Sequence, residues 1–276
     1  MNQQSSDWNP DLGPWELYGL TEESKCTSDA FYGCKRHKVN PISSAKIFTR
    51  DFTFSKGRLE VRAKLPKGDW LWPAIWLLPK YEMYGMWPVS GEIDVMEATG
   101  NAKGYADNRG VDSMVSVLHW GLDYLNNKFQ LTKGSYTLPS NQGDFSDDYH
   151  IFGLVRTDTG IYTYIDDDSN RVLEVNWSEG SPSFFERGGW DANVYNNPWA
   201  GASNGAPFAD EEFYIVMNLA VGGISFFPDG EGNKPWSNDS PDASGDFWNA
   251  KDQWYPTWQP PNDPQFKIDW IRVTEN

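Results

Sequence analysis

Residues 58–65, RLEVRAKL, alternate without interruption. Leu59, Val61, Ala63 and Leu65 fall on one side, and Arg58, Glu60, Arg62 and Lys64 on the other. A period of two marks a strand with one buried face. Similar signals recur along the chain. HIFGLVRTDTGIYTYIDD (150–167) reads as a hairpin turning at Asp158, Thr159 and Gly160. EFYIVMNLAVGG (212–223) is almost continuously apolar, as expected of a strand covered on both faces, and FKIDWIRVT (266–274) reads as a last strand. No stretch carries a convincing helical period. The segment from Phe226 to Pro264, rich in Gly, Pro, Asn, Asp and Trp, reads as a long ordered loop packed by its own aromatics. No internal repeat or composition break divides the chain. The expectation is an all-β sandwich of two curved antiparallel sheets with a concave face, forming a single domain over 1–276. The first ~20 residues read as irregular, as termini often are.

Composition narrows the function. The 276 residues carry a net charge of −16, which argues against nucleic acid and against an acidic membrane surface. A neutral polymer suits such a chain, with the charge serving solubility. No run approaches the ~20 apolar residues of a membrane helix. The polar start MNQQSSDWNPDLG is unlike a signal peptide, so the protein is either intracellular or has lost its signal. Fifteen Trp, 13 Tyr and 15 Phe exceed what the core needs and suggest a surface that stacks on flat, partly apolar rings. Cys26 and Cys34, in CTSDAFYGC, suit a disulfide across a tight loop, which would imply export; two free thiols are the alternative.

The chemistry concentrates in SGEIDVMEATGN (90–101). Glu92 and Asp94 share a strand face, while Glu97 has the wrong parity. A bulge, most simply at Val95–Met96, would restore phase and bring all three acids to one face. The two Glu would then sit ~13 Å apart along the backbone. Leaning together, their carboxyl groups would reach the ~5–5.5 Å separation of a retaining glycosidase pair. Asp94 between them would tune one of them by proximity. The alternatives are three solvated acids on an outer face, or a three-carboxylate metal site. The packed Ile93, Val95 and Met96 argue against the first, and the lack of a His nearby in sequence against the second. Trp70, Trp72 and Trp76 in GDWLWPAIWLLP, and Trp87 just before the acids, are platforms for the apolar face of a sugar. His119 lies in phase with Val115 and Val117, where a structural histidine is the usual occupant. Asn218 interrupts an apolar run and needs a partner, from substrate or from a neighbouring strand.

These segments resemble glycoside hydrolase family 16. GEIDVME is similar to the E-x-D-x-x-E signature of its laminarinase branch, whereas the licheninase branch has the shorter E-x-D-x-E. CTSDAFYGC, NPISSAKIFT, KGRLEVRAKLPKGDWLWPAIWLLP, HWG, MNLAVGG, FFPDGEGNKPW and DFWNAKDQWYPTW look like animal-type laminarinases and the related β-1,3-glucan recognition proteins. The resemblance implies a β-jelly-roll with substrate crossing the concave face. It implies a retaining endo-β-1,3-glucanase with Glu92 as nucleophile, Glu97 as general acid/base and Asp94 as the assisting acid. Trp87 would stack beneath the sugar at the cleavage point, with Trp72, His119, Asn218 and Trp236 as lesser subsite residues. The expected partner is a β-1,3-glucan, for a secreted monomer that needs no cofactor, with room for a structural Ca²⁺ on the convex side. Two other readings stay open: a glucan-recognition protein that no longer cleaves, and a mixed-linkage β-1,3-1,4-glucanase. The chain departs from the pattern at Lys46, where the family usually carries Arg, and a Lys cannot make the same bidentate contact. The short region before Cys26 also lacks the expected opening strands.

Overall fold

The computed structural model describes residues 42–49, 51–106, 109–223 and 226–274. Cys26 and Cys34, and the first ~20 residues expected to be irregular, lie outside the described residues. Among the described residues, eleven strands form two antiparallel sheets. The first sheet runs β1 (Lys46–Phe48), β10 (Phe213–Val221), β3 (Leu71–Pro79), β4 (Glu92–Ala98), β5 (Ser113–His119) and β6 (Lys133–Thr137) in spatial order. The second runs β11 (Lys267–Thr274), β2 (Gly57–Lys64), β7 (His150–Arg156), β8 (Gly160–Ile165) and β9 (Asp167–Asn176).

The alternation in β2 is carried into three dimensions. Leu59, Val61, Ala63 and Leu65 are buried between the sheets, while Arg58, Glu60, Arg62 and Lys64 are half-exposed. The 150–167 segment forms the hairpin of β7 and β8. Strand β10 is held between β1 and β3, and its first half is the more deeply buried. Beside it in the same sheet, Ile75 and Leu77 of β3, Ile93 and Met96 of β4, and Leu118 of β5 are all within 1% of full burial. Burying side chains of this size is the main stabilising contribution to such a sandwich.

A second apolar cluster caps one end of the first sheet. Trp70, Leu71, Tyr105, Phe227, Trp236, Phe247, Trp254 and Trp258 pack together there, mostly edge to face. The segment after β10 is therefore packed by its own aromatics, as its composition implied. It is not purely a loop, because Ala243–Asn249 and Lys251–Trp254 are short helices. Among the described residues, no helix is long and apolar enough to cross a membrane.

Ile93 is fully buried directly behind the acids. Truncating such a side chain costs about 2–5 kcal/mol, so Ile93→Ala should lower unfolding stability by that amount in denaturant titrations. Leu131→Ala, at a side chain that is 61% exposed, should change stability by no more than about 0.5 kcal/mol. Equal effects from both substitutions would contradict this placement of the core.

Candidate active site

The register of β4 explains how three acids reach one face. Against β3, Trp76 pairs with Asp94 and Ile75 with Met96, so Val95 is the extra residue. Against β5, Asp94 pairs with Val117 and Glu97 with Val115, so Val95 and Met96 together face only Ser116. Ser116 uses this irregularity, donating its hydroxyl to the Val95 carbonyl at 2.6 Å. The bulge lies at the predicted position and corrects the parity of Glu97. Val95 and Met96 both turn into protein and are buried.

Cross-strand pairing places the neighbours. One row across the sheet contains Lys46, Asn218, Ala74, Glu97 and Val115, and the next contains Phe48, Val216, Trp76, Asp94 and Val117. Glu92 pairs with His119. Directly opposed residues share a face, so the acids, His119, Asn218 and Trp76 line one surface, turned away from the sandwich core. Gly91 precedes Glu92 with φ +87°, a backbone conformation that side chains disfavour, and a Cβ there would strike Phe208 at 2.5 Å.

Each Glu carries an indole donor. Trp87 donates its Nε1–H to Glu92 Oε2 at 2.7 Å, and Trp72 donates to Glu97 Oε1 at 3.0 Å. Asp94 lies between the two Glu, its charge raising Glu92 and the Glu97 charge raising Asp94. His119 brings Nε2 within 3.3 Å of Asp94 Oδ2. Its tautomer follows from its neighbours. Asn127 Oδ1 accepts from the Phe129 N–H, which turns the Asn127 amide nitrogen toward His119 Nδ1 at 2.8 Å. Nδ1 is therefore the acceptor and Nε2–H points at the acids. Asn127 reaches His119 because the chain folds back at Gly121, where a Cβ would collide with the Asn126 carbonyl at 2.2 Å.

The electrostatics follow from crowding. Burial, then the neighbouring Asp94 charge, pushes Glu92 up to about 8, against the opposing pull of His119 and the Trp87 N–H. Burial also raises Glu97; the Glu92 charge adds to the rise, while His119, Trp72 and Lys133 oppose it. Asp94, only 3% exposed, is raised well above the ordinary carboxylate range by burial and by the Glu97 charge. Three carboxyl groups this close titrate as a unit and retain protons at neutral pH. Glu92 has an indole donor that favours its ionised form, whereas Asp94 is buried deepest. The contact between the two raises Glu92 and lowers Asp94.

The other candidate residues separate into two groups. Trp87 is half-exposed beside Glu92, with its ring near His119 (5.6 Å between centroids) and Tyr124 (5.8 Å). Trp76 donates to Asn218 Oδ1 at 2.7 Å, so a neighbouring strand supplies the partner that Asn218 needed. Lys46 places Nζ 4.7 Å from the Trp76 ring centre, a cation–π contact in place of a guanidinium fork. Trp72 is on the cleft surface, but Phe226 covers one face of its ring in a parallel stack. Trp236 is not on that surface. It is 4% exposed inside the second cluster, and its indole N–H is taken by the Gly223 carbonyl at 2.9 Å. Trp70 is fully buried in the same cluster. Asn127, Tyr124, Phe129, Phe226 and Arg109 complete the surroundings and were not anticipated. Asp123, capping the turn at Tyr124–Asn126, was the one local signal that the chain reverses there.

Among the described residues, the grouping of three His or carboxylate ligand atoms within reach of one ion is Glu92, Asp94 and His119, with atoms inside 4.8 Å of one another. That grouping lies in the cleft and not on the convex sheet. His119 offers it an N–H rather than a lone pair.

The raised carboxyl groups fix the sign of a pH effect. The folded protein keeps protons that the unfolded chain releases, so stability falls as pH rises from about 4.5 to about 8. Thermal unfolding should show the melting temperature dropping across this window, and Glu92→Gln should reduce the drop. An unchanged drop in Glu92→Gln would contradict the raised Glu92 value.

Comparison with known proteins agrees with this geometry. A β-1,3-glucan-binding protein of Penaeus monodon is 42% identical over 274 residues, covering 95% of this chain and 72% of that protein. A glucan endo-1,3-β-glucosidase A1 of Niallia circulans is 40% identical over 184 residues, covering 66% of this chain and 22% of that protein. The laminarinase catalytic domain of Thermotoga maritima shares the fold, with TM-score 0.53 and 24% identity, covering 84% of this chain and 69% of that domain. The family model for glycosyl hydrolases family 16 matches residues 21–211. With that match, and with two antiparallel sheets of which one contains the acid-bearing bulged strand, the chain belongs to glycosyl hydrolase family 16.

Proposed function

We propose that the protein is a retaining endo-β-1,3-glucanase. The observation that carries this reading is the bulged β4, with Glu92, Asp94 and Glu97 on one open face and an indole donor on each Glu. An oxocarbenium-like transition state needs a carboxylate on one side and a proton donor on the other. Glu92 attacks the anomeric carbon in its ionised form, which the Trp87 N–H favours. Glu97, kept protonated near neutral pH by burial, gives its proton to the departing glycosidic oxygen. Once Glu92 is esterified its charge is gone, Glu97 loses its proton more readily, and it can activate the water that releases the glycosyl group. Trp87, fixed by its bond to Glu92, offers a ring on which a sugar at the cleavage point would stack. The substrate polymer and the cysteine pair expected at Cys26 and Cys34 fit a secreted monomer that acts outside the cell without a cofactor.

A second reading rests on a specific observation. The shrimp relative is named as a glucan-binding protein, and a chain with this fold can hold glucan without cleaving it. The intact triad favours hydrolysis. The longer spacing of the acids favours β-1,3 over mixed linkages.

Incubation with laminarin should release reducing ends, and Glu92→Ser should abolish release while laminarin binding persists. Glu97→Gln should lower the rate by about 10²–10⁴-fold. Binding without release by the wild type would establish the recognition reading instead. Cleavage of barley β-glucan but not of laminarin would overturn the linkage.

A further inference from the structure

Trp72 stands between Glu97 and the loop that follows β10. Its indole N–H donates to Glu97 Oε1 at 3.0 Å. Phe226 lies flat on its ring, with centroids 4.2 Å apart and planes 9° from parallel. Phe226 is itself held in place. The Arg109 guanidinium sits 5.8 Å from the Phe226 ring centre, and its Nη1–H donates to the Phe226 carbonyl at 2.9 Å. The next residue, Phe227, is fully buried against Trp70 and Trp236. At the start of the loop, the Trp236 indole holds the Gly223 carbonyl, and a Cβ on Gly223 would come within 3.3 Å of the Trp72 ring. The second aromatic cluster thus reaches Glu97 through Trp72, whose ring is stacked on Phe226 and met edge-on by Phe227 at 6.4 Å.

We propose that Phe226 is a positioning residue for Glu97: by clamping the Trp72 indole in its plane, it keeps the N–H on Oε1 and reserves Oε2 for the transferable proton. An indole has one donor and no acceptor. In a neutral carboxyl group the carbonyl oxygen is the better acceptor, so the oxygen bonded to the indole is the carbonyl and the other carries the hydrogen. The same N–H stabilises the ionised form of Glu97. A loose indole would lose both effects. The role assigned to the proton rests on the reading of Glu97 as general acid, whereas the clamp on its carboxyl group does not.

The test follows the Glu97 carboxyl by ¹³C NMR across pH, its resonance assigned by its loss in Glu97→Gln. Trp72→Phe removes the donor and keeps the ring. Phe226→Leu keeps apolar volume and removes the flat contact, with Phe226→Met taking its place if cooperative unfolding is lost. Phe226→Tyr restores the stack. The Glu97 midpoint should rise on the order of one pH unit in Trp72→Phe and in Phe226→Leu, and return in Phe226→Tyr. On laminarin, the alkaline limb of kcat/KM should move upward with it, and kcat should fall with KM little changed. A rise in Trp72→Phe without one in Phe226→Leu, or no rise in either, overturns the proposal. Absence of laminarin hydrolysis in the wild type would instead remove the glucanase reading, and the NMR titration would still decide the clamp.

Discussion

The site depends on one backbone irregularity, the two-against-one pairing of Val95 and Met96 with Ser116. Strand parity alone would turn Glu97 into the core or Glu92 out of the cleft. The bulge lets Ile93, Val95 and Met96 all pack inward while Glu92, Asp94 and Glu97 share the opposite surface. A regular strand of the same composition would have to bury a carboxylate among aliphatic side chains or expose an aliphatic in the cleft, and both are unfavourable. Because Ser116 bonds to the Val95 carbonyl, the irregularity is satisfied from within the sheet.

Carboxyl groups this crowded need local donors, and the aromatic residues supply them. Trp87 and Trp72 each give an indole N–H to one Glu, and His119 turns Nε2–H toward Asp94. Tryptophan suits this role because it donates without accepting and brings an apolar body that excludes water. The same burial that raises the carboxyl pKa values strengthens the hydrogen bonds. The surplus of aromatics is therefore divided: some rings face the cleft, some orient acids, and Trp70, Trp236, Trp254 and Trp258 form a second core that fixes the loop behind Trp72.

Much of this was legible in the sequence, for a physical reason. Period-two alternation reports which face a residue occupies, so β2, the β7–β8 hairpin and the bulge in β4 could be read from local spacing. Parity says nothing about what covers that face. Trp72 was placed on the correct surface, but its partner Phe226 lies far along the chain and so was not foreseen. Trp236 was expected at a subsite by resemblance, yet it is buried, because the segment that carries it folds back on Trp70 and Phe247. Asn127 and the tautomer of His119 depend on a reversal at Gly121 that no periodicity encodes. The short helices after residue 242 fall below the length at which helical period can be recognised.

In the proposed mechanism, the bulge sets Glu92 and Glu97 as a nucleophile and an acid acting on one glycosidic bond. ¹H NMR of the anomeric protons during the first turnovers on laminarin tests it most directly. With Glu92 as nucleophile, the β-anomer appears first and then mutarotates toward equilibrium. First appearance of the α-anomer would mean direct attack by water and would contradict the assignment of Glu92 as nucleophile.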